Sequence, residues 1–185
     1  MTKKTWLIIA GIVALVLVYG VVTYNGLVSK GEAADGQWAQ VESQYQRRFD
    51  LIPNLVESVK GVMQQEQAVF TAIADARTRY SGAQTIDEKA AAATEVEGSL
   101  ARLLVVMENY PQLKSSEAVQ TLMSQLEGSE NRVSVERQRF NDNVRALNVL
   151  VQRFPSNLVA SMFGFSERNY FEAQEGAETA PQVDF

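Results

Sequence analysis

Apolar residues dominate the chain between Trp6 and Tyr24, where eleven of nineteen positions are Leu, Ile or Val. The stretch contains no charged residue and lies directly after Lys3 and Lys4. As an α-helix it would be about 28 Å long, which matches the roughly 30 Å hydrocarbon core of a bilayer. The pattern therefore predicts a transmembrane anchor over residues 1–24.

A cleaved signal peptide is the alternative interpretation, because it also combines a basic start with an apolar core. Signal-peptide cores run for about 7 to 15 residues and end at a small-x-small cleavage site. Here the core is longer, and residues 23–28 read Thr-Tyr-Asn-Gly-Leu-Val. We therefore favour a retained anchor.

The lysines around the anchor indicate its orientation, since basic residues are retained on the cytoplasmic side. Lys3 and Lys4 precede the anchor, whereas Lys30 is the one basic residue within 25–36, a stretch that we interpret as a juxtamembrane connection. This difference of one basic residue predicts a cytoplasmic N-terminus and an exported body.

In the body, apolar residues recur at steps of three and four from Trp38 to Tyr80, which predicts a long helix. The stripe stays in phase through Pro53, although an internal proline removes one backbone hydrogen bond. A continuous, kinked helix is the favoured interpretation. A new helix that begins with Asp50 as its N-cap is the alternative.

A second helix is predicted after the turn-like residues 81–84. Thr85 and Glu88 have the spacing of a capping box, in which the hydroxyl and the carboxylate each accept a hydrogen bond from a backbone amide at the start of the helix. The apolar face of this helix continues until Pro111, which is expected to stop or kink it.

The third apolar stripe runs from Val119 to Phe154 and ends at Pro155, and a short amphipathic helix is expected after it. No segment has the sustained period-two alternation of a half-buried strand. The sequence therefore predicts an all-α fold, in which an N-terminal transmembrane helix is followed, over residues 37–171, by an elongated antiparallel bundle of three long helices plus a short C-terminal helix.

Composition excludes several functional classes. The net charge is −5 and no basic face is clustered, so nucleic acid is not an expected partner. The chain has no Cys and no His, and no serine is framed by glycines, which leaves no basis for a metal site, a cofactor site or nucleophilic catalysis.

Residues 172–185 are rich in Gln, Glu, Gly, Ala, Thr and Pro, and they predict a disordered acidic tail.

The densest polar group flanks Pro53 on the first predicted helix. The favoured interpretation is a solvated helix face or a buried network that fixes helix register, and a docking surface or a contact between subunits is the alternative. Its members are Arg47, Arg48, Asp50, Asn54, Glu57 and Lys60.

A second polar group lies at or beside the apolar stripes and is the candidate for pairing between helices. Its members are Glu66, Arg77, Glu130, Arg137, Asn141 and Asn148. The expected ion pairs are Glu66 with Arg137 and Arg77 with Glu130. Asn141 and Asn148 are one heptad apart, a spacing at which buried amides can select helix register.

Large apolar side chains near the end of the body form a third candidate site. They are Leu158, Met162, Phe163 and Phe165. We expect them to cap the core of the bundle, and the alternative is an exposed contact with a partner or with lipid.

The run from 47 to 61, RRFDLIPNLVESVKG, resembles the signature of the LemA family of bacterial membrane proteins. Other stretches agree with that family in the same order, namely 24–28 (YNGLV), 76–77 (AR), 111–114 (PQLK), 130–132 (ENR), 139–142 (RFND), 154–155 (FP) and 164–165 (GF). Phe49 and Phe140 stand where tyrosine is often expected in the family. The resemblance implies a single-pass protein of the bacterial inner membrane with a helical bundle and no established enzymatic activity.

These observations predict a non-enzymatic, membrane-anchored helical scaffold or adaptor that binds proteins at the cell envelope and self-associates. Its expected partners are membrane lipid through the anchor, further copies of the chain and an envelope protein. The alternatives are an accessory or regulatory subunit of an envelope protease or hydrolase, and a lipid-remodelling membrane protein.

Overall fold

The computed structural model describes residues 2–171, so the predicted tail over 172–185 lies outside the described residues. The described part of the chain is helical and contains no strand, which confirms the all-α prediction. The helices are α1 (Lys3–Lys60), α2 (Gln67–Gly82), α3 (Ile86–Met107), α4 (Pro111–Lys114), α5 (Glu117–Gln152) and α6 (Ser156–Met162).

Helix α1 includes the whole apolar anchor and continues through the predicted connection at 25–36. Its apolar window has a mean hydropathy of 2.5, and none of that window is buried in the protein. Pro53 lies inside α1, so the expectation of a helix that continues through this proline is confirmed.

The predicted helix from Trp38 to Tyr80 is nevertheless wrong in its second half, because α1 ends at Lys60 and α2 begins only at Gln67. Residues 61–66 form tight turns, in which the amide of Glu66 donates to the carbonyl of Met63 at 3.0 Å. Met63 is fully buried in this turn. Met63 therefore continues the helical spacing of apolar residues in a segment whose backbone is not helical.

The described residues divide into two compact units, of which the first comprises residues 2–39 and 138–170. Its core is formed by Leu27, Leu147 and Ala160, and Phe165 packs against them. Trp38 and Phe140 add an edge-to-face ring pair with centroids 5.4 Å apart.

Polar contacts in the first unit hold the segment that follows α6. The side-chain amide of Asn148 donates to the carbonyl of Arg168 and accepts from its backbone amide, both at 2.9 Å. The guanidinium of Arg168 also pairs with Asp35 on α1. Gly164, at φ 74°, supplies the left-handed turn between α6 and this segment.

The second unit comprises residues 40–137 together with Phe171. The predicted capping box is present, because the amide of Glu88 donates to Thr85 Oγ1 at 3.2 Å and the amide of Thr85 donates to the Glu88 carboxylate at 3.1 Å. These backbone donors, with that of Gln84 foremost, lower the pKa of Glu88. Helix α3 is tied to α2 by Arg79 and Glu95, whose charged atoms lie 2.6 Å apart.

The predicted core is mostly buried, with one large exception. Val41, Leu103 and Val133 are fully buried. Phe154 was expected on the third apolar stripe, but it is 73% exposed. The buried stripe does not extend to Phe154, because α5 ends at Gln152 and Phe154 lies in the turn before α6.

Candidate functional site

A polar network inside the second unit joins side chains from α1, α3 and α5. Its centre is Glu97 of α3, whose Oε1 accepts a hydrogen bond from the Tyr45 hydroxyl at 2.9 Å. Arg48 Nη1 lies 3.4 Å from the same oxygen and also pairs with Glu130 of α5. Arg137 approaches the other Glu97 oxygen at 3.7 Å. Two carboxylates therefore share two guanidinium groups and one hydroxyl.

Aromatic rings enclose this network on one side. The Phe49 and Tyr80 rings pack edge to face at 4.6 Å, and both lie within 6 Å of the Tyr45 ring. The Phe171 ring stacks on Tyr45 at 6.4 Å and carries the Arg137 guanidinium 4.0 Å above its centroid. A cation over an aromatic face is attractive, and here it fixes the position of the guanidinium.

Burial sets the electrostatics of the network. It is the main cause that raises the pKa of Glu97, with a further contribution from the nearby charge of Glu130, and the opposing contributions come from Tyr45 and the two arginines. Burial also raises the pKa of Tyr45, and it raises the pKa of Tyr80 to about 12. Both tyrosines are therefore neutral hydroxyl groups at physiological pH, and Tyr45 acts as a hydrogen-bond donor to a carboxylate.

The residues of the candidate docking or register surface are separated in the structure, because neighbouring residues on α1 face different directions. Arg48 is only 8% exposed and belongs to the buried network. Arg47 and Asp50 are exposed and line an open groove of about 730 Å³ that α1 forms with α5. Asn54, Glu57 and Lys60 are exposed on α1 beyond this groove.

We call this groove the Arg47 groove. The wall on α1 consists of Arg47, Asp50 and Leu51, and the wall on α5 consists of Thr121, Ser124, Gln125, Gly128, Ser129 and Arg132. The side chains on α5 are short apart from Gln125 and Arg132, so the groove is open to solvent. Its rim carries charges of both signs.

The residues predicted to pair between helices have other partners in the structure. Glu130 pairs with Arg48 and Arg137 pairs with Glu97, in place of Arg77 and Glu66. Glu66 accepts a hydrogen bond from the Tyr110 hydroxyl at 3.4 Å. Arg77 is half-buried and lines a separate groove of about 770 Å³.

The two asparagines of the predicted heptad pair also differ from each other. Asn148 is 4% exposed and holds the backbone of Arg168, whereas Asn141 is half-buried on α5. A periodic pattern shows which positions lie near a helix face, but it does not show which helix supplies the partner.

Glu97 and Tyr45 are the central residues of the network, and the polar candidates from the sequence did not include them. A signal was present, since Glu97 stands four residues after Ala93 and three before Leu100, both of which are buried on the same face of α3. A carboxylate at such a position requires buried partners.

The candidate apolar residues near the end of the body lie in the first unit and are mostly exposed. Phe165 packs on the core, as expected of a cap. Leu158, Met162 and Phe163 are 58%, 77% and 55% exposed, so they do not cap the core. With residues 15–24 of α1 they line an apolar groove of about 770 Å³, which we call the α6 groove.

Replacing Tyr45 by phenylalanine tests the network against a matched control. We expect Tyr45→Phe to lower the free energy of unfolding by about 1.5 to 2 kcal/mol, because Glu97 loses its hydroxyl donor. The Tyr80 hydroxyl is buried, and no described residue forms a hydrogen bond with it. Tyr80→Phe should therefore be neutral or stabilising. Denaturation of both variants in detergent, followed by circular dichroism, measures the difference, and equal losses would contradict the assignment.

The arrangement of the helices indicates the general class of protein to which this chain belongs. The exposed apolar stretch at the start of α1 and the all-helical body are those of a membrane-anchored helical protein. Within residues 2–171, no group of His, Asp or Glu side chains is arranged to hold a metal ion.

The chain belongs to the LemA family, whose model matches residues 37–185. It is 24% identical to Magnetosome protein MamQ of Magnetospirillum gryphiswaldense over an alignment that covers 86% of this chain and 70% of that protein. It is 23% identical to Magnetosome protein MamQ 2 of Paramagnetospirillum magneticum, with 84% of this chain and 67% of that protein covered. The family resemblance seen in the sequence is therefore confirmed.

Proposed function

We propose that this protein is a non-enzymatic, membrane-anchored helical scaffold that binds proteins at the cell envelope, including further copies of itself. The observation that supports the proposal is the Arg47 groove, an open groove whose rim presents the charged side chains of Arg47, Asp50 and Arg132. Anchoring confines the copies to two dimensions, which raises their local concentration without any additional contact.

The charges of the Arg47 groove support self-association in particular. In a two-fold symmetric dimer, a residue contacts the same patch on the second copy, so the patch must be complementary to itself. Arg47 and Asp50 have opposite charges and line the same groove. Arg47 of each copy can therefore pair with Asp50 of the other.

The orientation belongs to the same proposal. With Lys3 and Lys4 retained on the cytoplasmic side of the inner membrane, residues beyond the anchor would lie on the exported side. The scaffold would then act on envelope proteins outside the cytoplasm.

Charge substitutions test the proposed self-association in the full-length protein in lipid nanodiscs or native membranes. Arg47→Asp leaves two acidic residues beside Arg132 at the groove, and Asp50→Arg leaves three basic residues, so each variant alone should lose about tenfold or more of its self-association. Mixing the two variants should restore association, because their grooves are then complementary. In-membrane crosslinking and native mass spectrometry provide the measurement.

The matched control is Arg102→Asp, which makes the same change in charge at an exposed arginine outside the groove. It should leave self-association unchanged. Monomers in the wild-type protein, with no captured protein, would refute the proposal. Recovery of a stoichiometric enzyme instead of the chain itself would favour the accessory-subunit alternative.

A further inference from the structure

The α6 groove places a second apolar element beside the anchor. One wall is the stretch of α1 from Leu15 to Tyr24, and the other is α6 with its flanking residues Pro155 and Phe163. The Tyr24 ring contacts the Phe163 ring at 4.9 Å and the Phe165 ring at 5.9 Å. These contacts lie within the first unit, so α6 and this part of α1 pack against each other as parts of one compact structure.

Contact with the anchor determines the depth of α6 in a bilayer. The anchor runs from Trp6 to Tyr24, so Leu15 lies at its midpoint and Tyr24 at its end. A wall from Leu15 to Tyr24 rises by about 14 Å, which is half of the roughly 30 Å hydrocarbon core. The groove therefore has the length of one leaflet.

The exposed apolar side chains of α6 are consistent with insertion to that depth. Leu158, Met162 and Phe163 are more than half exposed, and Phe154 before the helix is 73% exposed. Large apolar side chains grouped in this way mark a surface that is covered by something other than water. Arg153, directly before Phe154, is exposed and carries the positive charge that a lipid phosphate would attract.

We infer that α6 is a second membrane-inserted element, and that the α6 groove holds one acyl chain of a phospholipid from the leaflet at the C-terminal end of the anchor. Three observations identify the occupant. The groove is apolar, its length equals that of one leaflet, and one of its walls is part of the anchor, whose exposed face is surrounded by acyl chains in a bilayer. This inference is independent of the self-association proposed for the Arg47 groove.

Two glycines of the anchor supply a matched pair of variants. Gly20 lines the α6 groove and Gly11 does not, and a Cβ atom added at either position meets no other atom within 4 Å. Gly20→Phe would therefore place a ring inside the groove, while Gly11→Phe would add the same ring to the anchor elsewhere. Both variants are expected to keep the helix content and the membrane association of the wild-type protein.

A phospholipid with a photoreactive diazirine in its acyl chain is the probe for the occupant. In bilayers that contain the wild-type protein, we expect crosslinks to peptides that include α6 as well as to the anchor. Gly20→Phe should reduce the α6 crosslinks at least fivefold, and Gly11→Phe should leave them unchanged. If α6 is not labelled, or if Gly20→Phe and Gly11→Phe behave alike, the inference is wrong.

The absence of cysteine from the chain allows a second, independent measurement. A fluorophore attached to Met162→Cys should be quenched by lipids that carry a nitroxide on the acyl chain. The reference is Val105→Cys in the second unit, because Val105 is also apolar and is 65% exposed. Quenching at Met162→Cys should be several times that at Val105→Cys. Equal quenching would contradict the inference, and so would a disulfide-linked dimer of unlabelled Met162→Cys, which would place a second copy in the groove.

Discussion

Replacing Arg48 by methionine is expected to lower the free energy of unfolding by about 3 kcal/mol at pH 7. Methionine retains an apolar stem of similar length, so the loss comes mainly from the charge. Without the guanidinium, the carboxylates of Glu97 and Glu130 face each other with one cation fewer, and the Glu97 side chain is only 15% exposed. We choose the low end of the usual range because the Glu130 side chain is 42% exposed and is partly screened by water. Chemical denaturation of the full-length protein in detergent measures the change.

The double variant Arg48→Met with Glu97→Gln identifies the cause of that loss. Glutamine carries no charge, and its side-chain oxygen can still accept the hydrogen bond from Tyr45. The second substitution should therefore restore part of the stability, although each substitution alone removes ion pairs. Strict additivity of the two losses would show that the carboxylate of Glu97 is not the group left uncompensated.

The pH dependence of the same variant follows from the raised pKa of Glu97. The folded protein binds the carboxyl proton of Glu97 more tightly than the unfolded chain does, since the pKa of this group in the unfolded chain has its ordinary value of 4.5. The contribution of the group to stability is therefore complete below about pH 4.5, and it is lost as the pH rises through the folded-state pKa. Arg48→Met removes one cause that lowers this pKa, so its deficit should be smaller at pH 5 than at pH 7. A deficit that does not change with pH would contradict the explanation.

The sequence predicts those parts of this fold that depend on local chemistry. The hydroxyl of Thr85 and the carboxylate of Glu88 place the start of α3, and Pro155 lies where α5 has ended. The break after Lys60 was missed, because Met63 remains buried in a turn and so keeps the spacing of a helix. Apolar periodicity indicates which positions are buried, and positions can remain buried where the backbone changes from helix to turn.

The candidate site was predicted less well, since its geometry depends on contacts that are distant in the sequence. Arg47 and Arg48 are neighbours with the same charge, yet one lines a groove and the other is buried. Their roles are decided by Glu97, which is 49 residues from Arg48. Helical periodicity does separate the two arginines, because Arg48 stands three residues after Tyr45 and four before Ile52 on the buried face of α1. About 100° of helix rotation turns Arg47 away from that face, but no local pattern identifies Glu97 as the partner of Arg48.

Removing the ring of Phe140 should have the largest effect of any substitution considered for the first unit. Phe140 is 1% exposed and packs edge to face on Trp38. Phe140→Ala is expected to cost about 3 to 5 kcal/mol, because a buried ring leaves a cavity that its neighbours fill only in part. Thermal denaturation of the full-length protein in detergent, followed by circular dichroism, measures this loss.

Phe154→Ala is the matched control, because the structure and the sequence pattern predict different losses of stability for it. Both phenylalanines were predicted on the same apolar stripe, so the pattern alone predicts similar losses for the two substitutions. In the structure Phe154 is 73% exposed, because α5 has ended before it. Its removal should change the free energy of unfolding by less than about 0.5 kcal/mol. A loss at Phe154 as large as that at Phe140 would show that the stripe continues into the core and that the turn before α6 is packed differently.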